Sequence, residues 1–130
     1  MQKELINSNP ILKLGIEFSL LVIDYCDQLQ ALKKFTISNQ LLRAGTSIGS
    51  NSFEAQNAES KADFIHKIKI AAKEADETQY WLILCEFAES YPACKILSDK
   101  LVEIQKVLNK ILGTAKRKTP FSYLLSFFIF

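Results

Sequence analysis

Apolar residues recur along most of the chain at alternating steps of four and three positions, the spacing of one face of an α-helix. Short polar or proline-containing stretches divide the pattern, and we predict helices at about 10–32, 36–58, 61–89 and 94–116. Four amphipathic helices with short connections fold most simply as an antiparallel up-down-up-down four-helix bundle. The predicted fold class is therefore all-α, with the bundle spanning residues 1–118.

The second and third predicted helices carry the most regular seams. The seam of the second helix is Ile37, Leu41, Ala44, Ile48, Asn51, Ala55 and Ala58. The seam of the third is Phe64, Ile68, Ala71, Ala75, Thr78, Leu82 and Cys85. Both average ~3.5 residues per step, the period of left-handed bundle packing. The small residues let a neighbouring helix approach closely, and the polar Asn51 needs hydrogen-bond partners there.

Helix-capping signals support these boundaries. Pro10 suits the first turn of a helix, and Thr36 is the predicted N-cap of the second helix. Ser60 followed by Asp63 is a variant capping box for the third helix. Pro92 ends the third helix, because the residue before a proline disfavours helical geometry.

Composition narrows the class of protein. The 130 residues suffice for one domain. With 4 Gly and 3 Pro, the chain has too few turn-forming residues for a many-stranded sandwich or barrel. The three cysteines are odd in number and lack C-x-x-C spacing, so we expect free thiols and a cytoplasmic protein. The apolar run Phe18–Ile23 is far shorter than a membrane span, so we expect no signal peptide and no integral membrane association.

Residues 119–130 form an apolar C-terminal tail. Seven of the last ten residues are Phe, Leu or Ile, and none of the ten is charged. Such a segment is an aggregation hazard when it is exposed. The tail can pack on the bundle, dock on a neighbouring subunit or contact a membrane surface, and we favour docking within an oligomer.

Charge is distributed unevenly along the chain. The net charge is +2, but residues 93–130 carry 7 basic and 2 acidic residues, so the rest of the chain is slightly acidic. This asymmetry suits an anionic partner or head-to-tail contact between copies, or else the lysines merely solvate a helix. The candidate nucleic-acid contacts are Lys106, Lys110, Lys116, Arg117 and Lys118.

Catalytic signatures are missing from the sequence. A diiron carboxylate bundle needs a Glu-x-x-His unit on each of two helices, whereas the chain has one histidine, in Asp63-x-x-His66. It contains no glycine-rich phosphate loop, nucleophile elbow or zinc signature. We therefore expect no enzyme activity, no metal and no cofactor.

Two stretches of the chain carry a family resemblance. Residues 38–51 read SNQLLRAGTSIGSN and are followed by Glu54-Ala55, and residues 60–67 read SKADFIHK and lead into IAAKEADETQYWL at 70–82. This pattern resembles the bacterial four-helix-bundle proteins related to the large-subunit (23S) ribosomal RNA intervening-sequence protein. It is more distantly similar to the accessory variability protein of diversity-generating retroelements.

The resemblance implies assembly as a ring-like homopentamer; the retroelement relatives bind reverse transcriptase and nucleic acid through a basic pentamer. The motif residues Arg43, Asn51, Glu54, Lys67, Glu74 and Glu77 lie on the second and third predicted helices. We hypothesise that they form a buried or half-buried polar network that sets helix register and subunit geometry. Removing one partner of a truly buried network would cost ~3–5 kcal/mol.

The sequence thus favours a non-enzymatic homo-oligomeric module. Its expected partners are other copies of itself and RNA or a nucleoprotein, bound through the basic C-terminal third. The alternative is a protein–protein scaffold or accessory subunit without nucleic-acid binding, which additional apolar lines on the first and third predicted helices support.

Overall fold

The structure is a computed structural model that describes residues 2–117 together with Pro120, Phe121 and Leu124. Residues 2–117 form five α-helices, and no strand occurs among the described residues. The helices are α1 (Gln2–Ser8), α2 (Pro10–Ala31), α3 (Phe35–Ala55), α4 (Lys61–Phe87) and α5 (Lys95–Ala115). The all-helical class predicted from the apolar periodicity is confirmed.

Most helix ends lie within two residues of the prediction, with one larger difference and one additional helix. The short helix α1 was not predicted, and α3 ends at Ala55 instead of residue 58. The prediction of Thr36 as N-cap was wrong, because α3 begins at Phe35 after Lys34, whose side chain makes no capping hydrogen bond. The cause lies at the end of α2, where Lys33 has a φ of 62° and the Lys34 amide donates to the Leu29 carbonyl at 2.8 Å. This left-handed Schellman-type end turns the chain directly into α3.

The predicted helix starts at Pro10 and at Ser60 are present, whereas α4 ends at Phe87, before Pro92 can act on it. The Asn9 side chain caps α2 by accepting a hydrogen bond from the Leu12 amide at 3.4 Å, with Pro10 in the first helical position. The Ser60 hydroxyl accepts from the Asp63 amide at 3.1 Å, and the Asp63 carboxylate accepts from the Glu59 amide at 3.1 Å. The first of these bonds satisfies an amide that the first turn of α4 leaves without a helical partner, and the second ties the residue before the N-cap to the same turn.

Helix α3 packs most extensively against α2 and α4, and α5 packs against α4 and α2. Across α2 and α3, Val22 lies against Gly45 and the Cys26 thiol donates to the Ser38 carbonyl at 3.4 Å. Across α4 and α5, the Gln105 amide donates to Gln79 at 3.2 Å. The four long helices therefore surround one core, each with two neighbours.

The apolar seams of the helices build that core. The buried residues of α4 are Phe64, Ile68, Ala71, Ala75, Thr78, Leu82 and Cys85, which are the seven predicted seam positions. Thr78 is tolerated there because its hydroxyl donates to the Glu74 carbonyl of its own helix at 2.7 Å. From α2 and α3, the large side chains of Phe18, Leu41 and Ile48 are completely buried.

The backbones of α2 and α3 touch at a pair of glycines. A Cβ atom added to Gly15 would lie 2.9 Å from the Cα of Gly49, and one added to Gly49 would lie 3.2 Å from the Gly15 carbonyl oxygen. At Gly45, an added Cβ would lie 3.0 Å from both γ-carbons of Val22. The glycines are therefore required by the close approach of the two helices.

The described part of the C-terminal tail packs on the bundle. The Phe121 ring lies edge-on to the Phe64 ring with centroids 6.3 Å apart, and Leu124 is buried. The alternatives for the rest of the tail concern residues outside those that the structure describes. Among the described residues, no helix combines the length and apolarity that a bilayer span requires.

We predict that Gly15→Ala destabilises the protein by about 1–3 kcal/mol, although alanine is intrinsically the better helix former. The added methyl group would meet the backbone of Gly49, so α2 and α3 would have to separate. Urea unfolding followed by circular dichroism measures the change.

Gly113→Ala is the matched control, because an added Cβ there meets nothing within 4 Å. This variant should gain up to ~1 kcal/mol from helix propensity alone. A Gly15→Ala protein as stable as wild type would show that the close approach of α2 and α3 is not required.

Candidate functional site

A polar cluster joins α3 to α4 on one face of the molecule. Arg43 of α3 reaches across to Glu74 and Glu77, which lie one turn apart on α4. One guanidinium nitrogen, Nη1, lies 3.4 Å from Glu74 Oε2, and the other, Nη2, donates to Glu77 Oε2. Nη2 also donates to the Gln40 side chain at 3.3 Å. A single arginine therefore connects two carboxylates, and its planar donor fork suits that geometry.

Trp81 extends this cluster along α4. Its indole N–H donates to Glu77 Oε2 at 3.1 Å, one turn further along the helix. Trp81 is not among the motif residues predicted to form the polar network, although its spacing of four residues from Glu77 is the signal for such a contact. The Glu77 carboxylate therefore accepts from two different helices and is held in place.

The cluster is half-exposed in a single copy of the chain. The side chains of Arg43 and Glu77 are 50% and 39% exposed, and that of Glu74 is 23% exposed. The cost of ~3–5 kcal/mol for breaking a truly buried network does not apply at this exposure. Water screens such pairs, and their contribution to stability is about 1 kcal/mol or less.

The remaining motif residues do not join that cluster. Lys67 Nζ and Glu54 Oε1 form a separate, looser ion pair across α3 and α4 at 3.8 Å. The Asn51 amide donates to the Ser47 carbonyl of its own helix at 2.9 Å, which satisfies a polar residue on the seam. The structure thus places the six motif residues in two ion-pair clusters and one intrahelical hydrogen bond.

The basic candidates lie along the second half of α5 and just beyond it. Lys106 and Lys110 are exposed one turn apart, and Lys116 and Arg117 follow at the end of the helix, also exposed. The Lys61 ammonium donates to the Arg117 carbonyl at 2.9 Å, which fixes the chain there. The prediction for Lys118 concerns a residue outside those that the structure describes.

An ion pair between α2 and α5 was not predicted. Lys100 Nζ lies 2.7 Å from Glu17 Oε2, with the two side chains 24% and 40% exposed. The hydrogen bond from Lys100 lowers the pKa of Glu17 and, in return, raises the pKa of Lys100. The pair links helices that are far apart in sequence, so helical spacing along one segment could not reveal it.

Three thiols and one phenol are buried at the end of the molecule where α4 connects to α5. Burial raises the pKa of the Cys26 thiol to about 11 and also raises the pKa values of Cys85 and Cys94. The Tyr25 hydroxyl donates to the Pro92 carbonyl at 2.8 Å, and burial raises its pKa. Thiols held in the protonated form are poor nucleophiles and poor metal ligands.

Other features for catalysis are sparse in the described part of the chain. A cavity of about 490 Å³ beside Cys85 and Cys94 is also lined by Glu86, Ser98 and Asp99. No group of three or more His, Cys, Asp or Glu side chains among the described residues could hold a metal ion.

Comparison with known proteins identifies the family. The sequence model of the 23S rRNA-intervening sequence protein family matches residues 7–110, so the chain belongs to that family. The resemblance noted in residues 38–82 is confirmed. None of the curated proteins matches the chain.

A solved structure supports the same assignment. It is the crystal structure of a protein with unknown function from the S23 ribosomal protein family of Bacteroides thetaiotaomicron. The two sequences are 39% identical, and the match covers 78% of this chain and 97% of the other with a TM-score of 0.75.

We predict that Arg43→Ala lowers the free energy of unfolding by about 0.5–1 kcal/mol, the size of an exposed ion-pair cluster. Thermal and urea unfolding measure the change. Lys95→Ala is the control, because Lys95 pairs with Asp99 within α5 at 83% and 66% exposure and should contribute less. A loss of 3 kcal/mol or more for Arg43→Ala would show that the cluster is buried in the assembled protein.

We predict that the contribution of the Glu17–Lys100 pair to stability depends on pH. Because the pKa of Glu17 is lower in the folded protein than in the unfolded chain, the pair stabilises the fold at neutral pH. This contribution should vanish as the pH falls through the folded-state pKa of Glu17. Glu17→Gln should therefore cost up to ~1 kcal/mol at pH 7 and progressively less as the pH falls through the folded-state pKa of Glu17. A cost that does not change with pH would contradict an electrostatic origin.

Proposed function

We propose that the protein is a non-enzymatic, homo-oligomeric helical-bundle module that binds RNA or a nucleoprotein partner in the cytoplasm. The observation that carries this proposal is the exposed row of cations on a chain whose remainder is slightly acidic. Lys106, Lys110, Lys116 and Arg117 follow one another along α5 and its end. Ammonium and guanidinium groups in such a row are the usual contacts to nucleic-acid phosphates.

The proposed architecture is an antiparallel up-down-up-down bundle built from α2, α3, α4 and α5. Its support is the order of contacts between neighbouring helices. Arg43 contacts Glu77 while Glu54 contacts Lys67, so residue numbers rise along α3 as they fall along α4. The contacts of Gly15 with Gly49 and of Val22 with Gly45 follow the same rule across α2 and α3.

The family resemblance leads us to expect a homopentamer. Such an assembly strengthens RNA binding through the exposed cations at the end of α5. One copy offers only a few cations, whereas a symmetric ring repeats the row in every subunit. Binding of several rows to one RNA raises the effective concentration of each later contact. We further propose that the Arg43 cluster helps to set subunit geometry, since it is half-exposed in a single copy.

The second candidate function is a protein scaffold or accessory subunit without nucleic-acid binding. Exposed apolar residues favour it, among them Leu20 at 61%, Phe87 at 80% and Ile96 at 72% exposure. Surfaces of this kind suit protein partners better than they suit a polyanion.

Light scattering on a sizing column, with absorbance at 260 and 280 nm, distinguishes the two functions for protein purified without nuclease. An oligomer that carries excess 260-nm absorbance, removed by high salt, is the expected result. A nucleic-acid-free oligomer that also fails to bind added RNA would favour the scaffold.

We predict that Lys106→Glu combined with Lys110→Glu weakens RNA binding and its salt dependence. Each lost phosphate contact should reduce the slope of log K against log salt by about 0.7–0.9. Fluorescence anisotropy with a labelled RNA hairpin at several salt concentrations measures both quantities.

Lys3→Glu combined with Lys13→Glu is the matched control, because it makes the same change in net charge at exposed positions near the N-terminus. An equal loss of binding in both double variants would show that total charge matters and that the α5 row has no special role.

A further inference from the structure

One of the four glycines of the chain has no packing reason to be a glycine. Added Cβ atoms at Gly15, Gly45 and Gly49 would approach neighbouring atoms to 2.9, 3.0 and 3.2 Å, whereas one added at Gly113 meets nothing within 4 Å. No glycine among the described residues has a positive φ. A glycine within a helix is also less stable than an alanine. Contacts and backbone geometry in the free protein therefore do not account for Gly113.

Gly113 shares a helix face with the exposed cations of α5. Steps of four, three and four residues place one set of positions on a single side of the helix. These positions are Lys106, Lys110, Gly113 and Arg117, and all four are exposed. At 1.5 Å per residue, the face from the first position to the last is about 16 Å long. The glycine therefore leaves bare backbone between cations on either side.

The charge of this face fits a polyanion. No acidic residue follows Glu103 in the chain, and Lys116 is a further exposed cation at the end of the helix. A glycine allows the backbone of a ligand to lie directly against the helix, because no side chain holds the ligand away. A nucleic acid that rests on Gly113 can then contact the neighbouring cations through its phosphates.

The composition of α5 favours a double-stranded nucleic acid. Its 21 residues include no aromatic side chain, so the helix offers no ring on which unpaired bases could stack. Double-stranded RNA has a wide, shallow minor groove and is recognised by its shape, its phosphates and its ribose hydroxyls. An α-helix about 10–12 Å wide can lie on that groove but cannot enter the ~6 Å minor groove of B-DNA.

Asn109 favours RNA over DNA at the same place. It is exposed and lies one turn before Gly113. Its amide can both donate and accept a hydrogen bond, and so can the 2′-hydroxyl of a ribose. DNA lacks that hydroxyl, so the amide would have no equivalent partner there.

We propose that the exposed face of α5 binds the shallow minor groove of double-stranded RNA, with Gly113 at the point of closest approach. This inference rests on the proposed RNA binding and names the kind of RNA and the contact. Lys106 and Lys110 bind phosphates on one side of that point, and Arg117 binds them on the other. The glycine thus lowers the stability of the free helix and permits close contact with the RNA.

Substitutions that add bulk at Gly113 test the contact. Fluorescence anisotropy measures binding to a labelled RNA duplex of about 20 base pairs, to one of its single strands and to the DNA duplex of the same sequence. Wild type should prefer the RNA duplex. Gly113→Ala should weaken that binding about 5–10-fold and Gly113→Leu more than about 20-fold, because the added side chain separates the helix from the RNA. Urea unfolding should show that both variants are at least as stable as wild type, so unfolding would not explain the loss.

Ala31→Leu is the matched control, because it adds similar bulk at an exposed position in the last turn of α2. That turn lies at the other end of the molecule. Tyr25 of α2 contacts Pro92, just before α5 begins, whereas Lys61 contacts Arg117 after α5 ends. The control variant should bind the RNA duplex as wild type does.

The outcomes separate this inference from the proposed function. A wild-type protein that binds none of the three nucleic acids would overturn the proposed RNA binding and this contact with it. Gly113 variants that bind the RNA duplex as tightly as wild type would overturn the contact and leave RNA binding standing, and so would a preference for the single strand or for DNA. Gly113 variants that lose the wild-type mass in light scattering together with binding would place the glycine between subunits and also overturn its contact with RNA. An equal loss in Ala31→Leu would show that the position of the added bulk does not matter.

Discussion

The contact of two helix backbones at Gly15 and Gly49 determines much of this structure. Because neither residue carries a side chain, α2 and α3 approach closely enough that a methyl group would collide with main-chain atoms. The small residues of the α3 seam allow α3 to pack closely against its neighbours. Arg43 lies on another side of α3 and contacts α4. The close approach of these two helices therefore determines how α2 and α3 share the core.

Periodicity of apolar residues was sufficient to predict the four long helices and the buried face of α4. These features depend on spacing along one segment, which the sequence displays directly. The start of α3 was not predictable from Thr36, because the left-handed Lys33 ends α2 in a tight turn that brings Phe35 into the next helix. Helix α1 was not predicted, because its seven residues are too few to show the helical periodicity of apolar residues.

The candidate site was predictable only as a set of residue types. Spacing placed Arg43 and Glu77 on facing helices, but which acid Arg43 would reach depends on the rotation and height of α3 against α4. The exposure of the cluster could not be obtained from the sequence either. The Lys100–Glu17 pair joins residues 83 positions apart, and such contacts follow from the complete packing of the molecule. The exposed cations of α5 were predictable, because a charged row opposite an apolar seam faces solvent in any bundle.

The buried cysteines give this protein a built-in reporter of local opening. The Cys26 thiol donates a hydrogen bond to the Ser38 carbonyl at the start of α3, and the Cys94 thiol donates one to the Leu82 carbonyl of α4. Both thiols therefore lie near the connections between helices. Because Cys26 is almost completely buried, a soluble thiol reagent can reach its thiol only when that end of the molecule separates from the core. The rate of thiol labelling therefore measures how often this end opens, independently of global unfolding.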